Sequence, residues 1–306
     1  RWAMRSAGRK RLIYLTRRRL ATQLRERGFG PDIVQSADSV LDPNILTLGF
    51  ARRFTEYKRP NLLLRDRDRL GRILLDESRP VQIIIAGKAH PADMTGKSMI
   101  TSWIEFARQP QMRHRVVFLE DYDIDLAQEL VQGVDVWINT PRRPWEACGT
   151  SGMKILVNGG LNCSVLDGWW DEAYQPELGW AIGDGSGGAA TEVDATDAQS
   201  LYDILESQII PEFYRRNTTG LPCDWLQRIR NSMCSLTTMF SSNRMIREYL
   251  ETAYLPRAAA IRERLADGCN KAKTMNNWAR QVHKRWATLH LGVPTISETN
   301  GSWKFI

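Results

Sequence analysis

From residue 43 onward, apolar positions fall in short runs of strand length, separated by longer stretches in which they recur every three or four residues. The runs cover 45–50, 81–86, 115–119, 134–138 and 163–166, and the helical stretches between them cover 61–75, 97–108, 126–132 and 151–158. Near-continuous apolar strands are buried on both faces, and their alternation with helices predicts an α/β fold with a parallel, doubly wound sheet. Ligands of such sheets collect beyond the carboxyl ends of the strands, so the loops after each strand are the places to look for chemistry. Ahead of this pattern the spacing predicts a helix over 2–27 and a linker. Behind it lie amphipathic helices over 199–213, 226–239 and 242–254, then a peripheral helical pair in which Trp278 and Trp286 share a face. The expected organisation is a helix and linker over 1–40, an α/β lobe over 41–256 and a helical tail over 257–306.

Composition narrows the choice. A chain of 306 residues with 42% hydrophobic content can bury a sizeable core, and a net charge of +7 is modest for that length. The densest cationic stretch, Arg9 to Arg27, interleaves its charges with apolar residues at helical spacing, which a packed amphipathic helix explains without nucleic acid. Five cysteines at irregular spacing give neither a disulfide framework nor a metal site, and the four histidines form no ligand pattern. No apolar run is long enough to cross a bilayer, and the opening RWAMRSAGRK lacks the apolar middle of a signal peptide, so a soluble, cytoplasmic protein is expected. The chain starts without methionine inside a helical pattern, from which a missing N-terminal part is expected.

The loops carry the candidate chemistry. PWEACGTSGMKILVNGG, residues 144–160, is a small-residue loop opening into a helix that Thr150 or Ser151 can cap and Gly159 can close. Its free N–H groups suit an anion. Lys154, expected half buried near the positive helix end, would have its ammonium disfavoured by desolvation and the dipole, as imine formation with an aldehyde requires. After the first strand, Arg52, Arg53, Lys58 and Arg59 place four cations within eight residues. Lys88 and His90 follow the second strand in what reads as a strand-end turn, and Tyr122 follows the third. Asp171 and Glu172 are adjacent and therefore point apart, which argues against a glycosidase pair.

The 144–160 string closely resembles the pyridoxal 5'-phosphate site of the α-glucan (glycogen, starch, maltodextrin) phosphorylases, in which a Glu-Ala-Ser-Gly-Thr run ends in Gly/Asn-Met-Lys. Residues 52–59 are similar to that family's Lys/Arg-Arg-x-x-x-Tyr-Lys-Arg segment, and VLDGWWDEAY and GWAIGDG resemble its shorter bacterial and archaeal members. One departure is Cys148, where the family usually has serine; the size is kept but the donor is weaker. The resemblance implies the C-terminal, Rossmann-like lobe of a two-lobed GT-B glycosyltransferase, with helical flanks. It implies reversible phosphorolysis of an α-1,4-glucan with inorganic phosphate to glucose 1-phosphate. Lys154 would anchor the cofactor, with Arg52, Tyr122, Thr150 and Ser151 around it. Arg53 and Lys58 would bind the substrate phosphate, and Glu146, Cys148, Gly149 and Tyr57 the sugar. The N-terminal lobe would be a required partner, leaving these residues alone with little turnover. Two other readings stand beside this one: a nucleotide-sugar glycosyltransferase of the starch or glycogen synthase kind, which lacks an equivalent of Gly-Met-Lys, and a catalytically incomplete glucan-binding lobe.

Overall fold

The apolar runs become parallel strands. In the computed structural model, which describes residues 2–185, 187–289, 292, 296–299 and 302–305, they are β1 (Leu46–Ala51), β2 (Val81–Ala86), β3 (Val116–Leu119), β4 (Val136–Asn139), β5 (Leu161–Val165) and β6 (Trp180–Ile182). Among the described residues these six form one sheet in the order β3-β2-β1-β4-β5-β6, every neighbouring pair parallel. β1 to β5 fall within one or two residues of the expected positions. β6 was not foreseen, because three residues between Gly179 and Gly183 are too short a run to read as a strand.

Strand residues alternate between two cores. Leu46, Leu48, Phe50, Ile83 and Ile85 face one side with Leu70, Trp103, Phe106, Leu201 and Phe213. Ile84, Ala86, Val117 and Trp137 face the other with Leu12, Ile13, Leu130 and Ile155. The first layer is supplied by α3 (Arg67–Leu75), α4 (Met94–Arg108), α8 (Ala190–Ile204) and α9 (Ile210–Tyr214). The second comes from α1 (Trp2–Glu26), α5 (Ile124–Gly133) and α6 (Thr150–Val157). Shorter helices α2 (Pro31–Ser36) and α7 (Trp169–Ala173), and the long α10 (Cys223–Met239), complete this unit. Helices on both faces of a parallel sheet make the doubly wound fold expected from the sequence.

The cationic face of α1 is used inside the protein. Arg9, 2% exposed, donates to Asp135 Oδ1 at 2.6 Å and to Pro43 O at 2.6 Å, while Thr47 N donates to Asp135 Oδ2 at 3.0 Å. Arg5 donates to the carbonyls of Gln132, Val134 and Asn158, tying α1 to the ends of α5 and α6. Arg17 donates to the Val40 and Leu41 carbonyls, and Arg19 and Arg27 pair with Asp123 and Glu120.

Contacts divide the chain into two compact units, Arg1–Phe240 and Ser241–Ile306. The second holds α11 (Ser242–Tyr249), capped by Ser241 Oγ accepting from Arg244 N, and α12 (Leu255–Arg285), broken at Ala266–Cys269 where Asp267, Gly268 and Cys269 have positive φ. That break divides α12 into two helical segments, and Trp286 follows it in a 3-10 turn over Trp286–Thr288. An antiparallel hairpin of β7 (Ile296–Thr299) and β8 (Ser302–Phe305), in place of the helix expected there, lies in the same unit. Among the described residues no helix is long and apolar enough to cross a membrane, and no group of three His, Cys, Asp or Glu side chains is placed to hold a metal ion.

Candidate functional site

Strand order reverses at β1, whose neighbours β2 and β4 lead away in opposite directions, and the loops leaving β1 and β4 bound the crevice this creates. The β1 loop first follows β2, with Arg52 N donating to Ala86 O and Phe54 N to Lys88 O. It then makes a 3-10 turn over Glu56–Lys58. The β4 loop runs through Thr140 to Gly149 and is held from the far side by Asp167, beyond β5, whose Oδ2 accepts from Glu146 N at 2.9 Å.

These loops bring two cations onto one carboxylate. Glu146, 8% exposed, accepts from Lys58 Nζ, and Arg52 Nη1 stands 3.6 Å from the same Oε2. Burial lowers the Arg52 pKa from its ordinary value, and Glu146 opposes that shift. Arg52 Nη1 is buried yet makes no hydrogen bond, so the crevice holds a charged donor whose hydrogen-bonding capacity is unmet. Lys58 Nζ lies 4.6 Å from the centre of the Tyr57 ring, and Tyr57 packs against exposed Trp145 at 6.1 Å. Tyr122 is close enough to Arg52 to feel its charge, although burial still pushes the phenol up. Cys148 has its thiol pushed up by burial and then by Glu146 and Glu172.

Two local expectations need correction. The N-cap of α6 is Gly149, in the left-handed region at φ +85°, with no side-chain cap. The turn needed there places both hydroxyls past the capping position: Thr150 Oγ1 accepts from Lys154 Nζ at 3.3 Å, and Ser151 Oγ from Trp137 Nε1 at 3.2 Å. Lys154, expected half buried, is exposed. α6 buries Gly152, Ile155 and Leu156, and at 100° per residue position 154 points to the opposite side, one turn below Thr150. Gly159, at φ +73°, does follow the end of the helix.

The crevice thus gathers Arg52, Tyr57, Lys58, Tyr122, Glu146, Cys148 and Gly149. Arg53 is exposed on the β1 loop, and Thr150 and Lys154 are exposed on α6. Arg59 does not join them; it is paired with Asp194 and Asp197 on α8. Sequence reasoning missed those partners and Asp167, since nothing local marks a pairing across 135 residues.

A sheet of this order, with helices on both faces, defines the chain as a lobe of the doubly wound α/β class. It belongs to the carbohydrate phosphorylase family, whose profile matches residues 23–175, and that family is built on the GT-B plan. The chain is 43% identical to glycogen phosphorylase of Mycobacterium tuberculosis over 95% of its own length and 34% of that protein's. It is 44% identical to glycogen phosphorylase of Aquifex aeolicus over 83% of its length and 36% of the relative's. With maltodextrin phosphorylase of Thermococcus litoralis it shares 41% identity over 80% of its length and 29% of the relative's. It spans about a third of the length of the curated relatives it matches.

Proposed function

We propose that this chain is the C-terminal, cofactor-carrying lobe of an α-glucan phosphorylase, acting with an N-terminal lobe to cleave α-1,4-glucan with inorganic phosphate and release glucose 1-phosphate. The convergence of Arg52 and Lys58 on Glu146 at the β1/β4 switch point carries this reading. Glycogen and maltodextrin phosphorylases as the relatives support it.

In this reading pyridoxal 5'-phosphate is anchored through Lys154, whose exposure leaves its amine accessible to an aldehyde. The backbone N–H groups of Thr150 and Ser151, at the start of α6, would hold the cofactor phosphate, with Arg52 supplying charge and Tyr122 apolar surface. The open Nη1 of Arg52 fits such an anion. The chemistry that such a cofactor would supply is a phosphate able to exchange a proton with the substrate phosphate. Arg53 and Lys58 hold the substrate phosphate. Two phosphates side by side repel strongly where water is scarce, so cations at this place lower the barrier by neutralising them. Glu146 accepts from sugar hydroxyls, Tyr57 lines the sugar, and Cys148 and Gly149 border it. The carboxylate also keeps two cations fixed in direction before ligand arrives, which reduces reorganisation on binding.

The test is incubation with pyridoxal 5'-phosphate, borohydride reduction and peptide mapping. Labelling confined to Lys154 is expected. Labelling of another lysine, or none, would overturn the assignment, and the absence of an imine absorbance band would favour a nucleotide-sugar transferase.

A further inference from the structure

Arg59 is the cation of the 52–59 cluster that pairs with α8 and not with Glu146. Its side chain is 4% exposed. Nε donates to Thr140 O at 3.0 Å, Nη2 to Pro141 O at 2.8 Å and to Asp197 Oδ2 at 2.6 Å, and Nη1 to Asp194 Oδ1 at 2.9 Å. Asp194 Oδ2 also accepts from Arg142 Nη2 at 2.9 Å, so two arginines and two aspartates balance in charge. Arg142 N donates to Tyr57 O at 2.6 Å, and Thr140 Oγ1 donates between Lys58 O at 3.0 Å and Arg59 O at 3.1 Å. A Cβ on Gly183 would stand 2.1 Å from Asp197 Oδ1, so the turn after β6 closes on that carboxylate. Burial is the main cause pushing the Asp197 carboxyl up, against the pull of Arg59.

Arg59 sits at φ +45°, a left-handed conformation that L side chains disfavour. Holding a long side chain there is unfavourable unless the surroundings need it. What they use is the planar fork: one edge donates to two carbonyls of the β4 loop while another donates to two carboxylates of α8, which a point-charge ammonium cannot do.

We propose that Arg59 is a positioning residue for the anion clamp. With Asp194 and Asp197 it fastens the loop carrying Tyr57 and Lys58 to the loop carrying Glu146, and so fixes the contact between Lys58 and Glu146. The use made of that contact rests on the proposed phosphorolysis; the fastening itself is a property of the folded chain.

Lys58 is the reporter. Its amine, paired and 11% exposed, reacts slowly with an amine-modifying reagent, whereas Lys154 is exposed and serves as the internal reference. Arg59→Gln is expected to raise Lys58 labelling relative to Lys154 by about tenfold, and to raise hydrogen exchange over 52–60 and 140–149 while 81–86 stays protected. Arg59→Lys keeps the charge without the fork and should fall between. Thr140→Val keeps every charge and removes one hydroxyl; it should raise Lys58 labelling in the same direction and decides the matter should Arg59→Gln not fold. Unchanged Lys58 labelling in the folded variants, or a rise shared equally by 81–86, overturns the proposal. Both readouts use the chain without cofactor, so failure of Lys154 to take the cofactor would sink the phosphorylase reading and leave this result standing.

Discussion

Arg52 and Glu146 face each other at 3.6 Å across the crevice between β1 and β4, and Lys58 closes on the same carboxylate oxygen from the opposite end of the β1 loop. Three buried charges therefore carry a net positive charge at the switch point of the sheet. Replacing Glu146 with Gln leaves two buried cations without their counter-charge, and breaking a buried pair in this way costs about 3–5 kcal/mol. The same change makes the crevice a stronger anion site. Urea denaturation should show the loss, and millimolar phosphate should restore more stability to Glu146→Gln than to the parent chain at matched ionic strength. Equal phosphate effects would mean that these cations do not face an anion site.

Lys154→Ala separates function from stability. The side chain is exposed and its recorded bond is to Thr150 on the next turn, so the change should alter stability by no more than about 0.5 kcal/mol. Covalent capture of pyridoxal 5'-phosphate should disappear. A loss of stability well beyond that figure would show that the amine serves the fold.

How the site could be read in advance differs from residue to residue. β1 to β5 were legible because each is buried on both faces and so reads as an unbroken apolar run. Membership of the crevice was legible for Lys58 and Glu146 through the loops that follow strands. Their pairing was not, since it spans 88 residues and depends on strand order. Nearness to the helix start points Lys154 toward the interior, but the face of α6 that is buried, Gly152, Ile155 and Leu156 taken together, puts it on the solvent side. Arg59 reads from sequence as one of four loop cations because a local sequence cannot show that its acids lie on α8.

Asp123 gives a pH-dependent case. It caps α5, its Oδ1 accepting from Leu126 N at 2.8 Å, and that bond is the main cause holding its pKa below the ordinary value, with Arg19 and Lys88 adding to it. A carboxyl depressed in the folded state stabilises above its unfolded pKa, and the contribution fades as pH falls through the folded value. Asp123→Ala should cost about 1 kcal/mol near neutral pH. The gap should shrink once pH drops below about 4. Urea titrations of both chains across that range provide the check, and a gap independent of pH would rule out the ionised cap as its source.

Asp135 anchors α1 to the sheet, and its removal should be the most damaging change away from the crevice. Its carboxylate, 2% exposed, accepts from Arg9 Nη1 at 2.6 Å and from Thr47 N at 3.0 Å, with Arg5 Nη2 at 3.8 Å. Asp135→Asn leaves Arg9 buried without an anion and replaces one acceptor with a donor facing a guanidinium, so a loss of about 3–5 kcal/mol is expected. The Arg11 pair with Glu129 on the same helix is the control: its arginine is 62% exposed, and Arg11→Ala should cost no more than about 1 kcal/mol. Both pairs join α1 to the α5 region, so a difference between them isolates burial from mere contact between elements. If the two substitutions shift the urea midpoint equally, desolvation is not what makes the Asp135 site matter, and the packing of Leu12 and Ile13 would be enough to hold α1 in place.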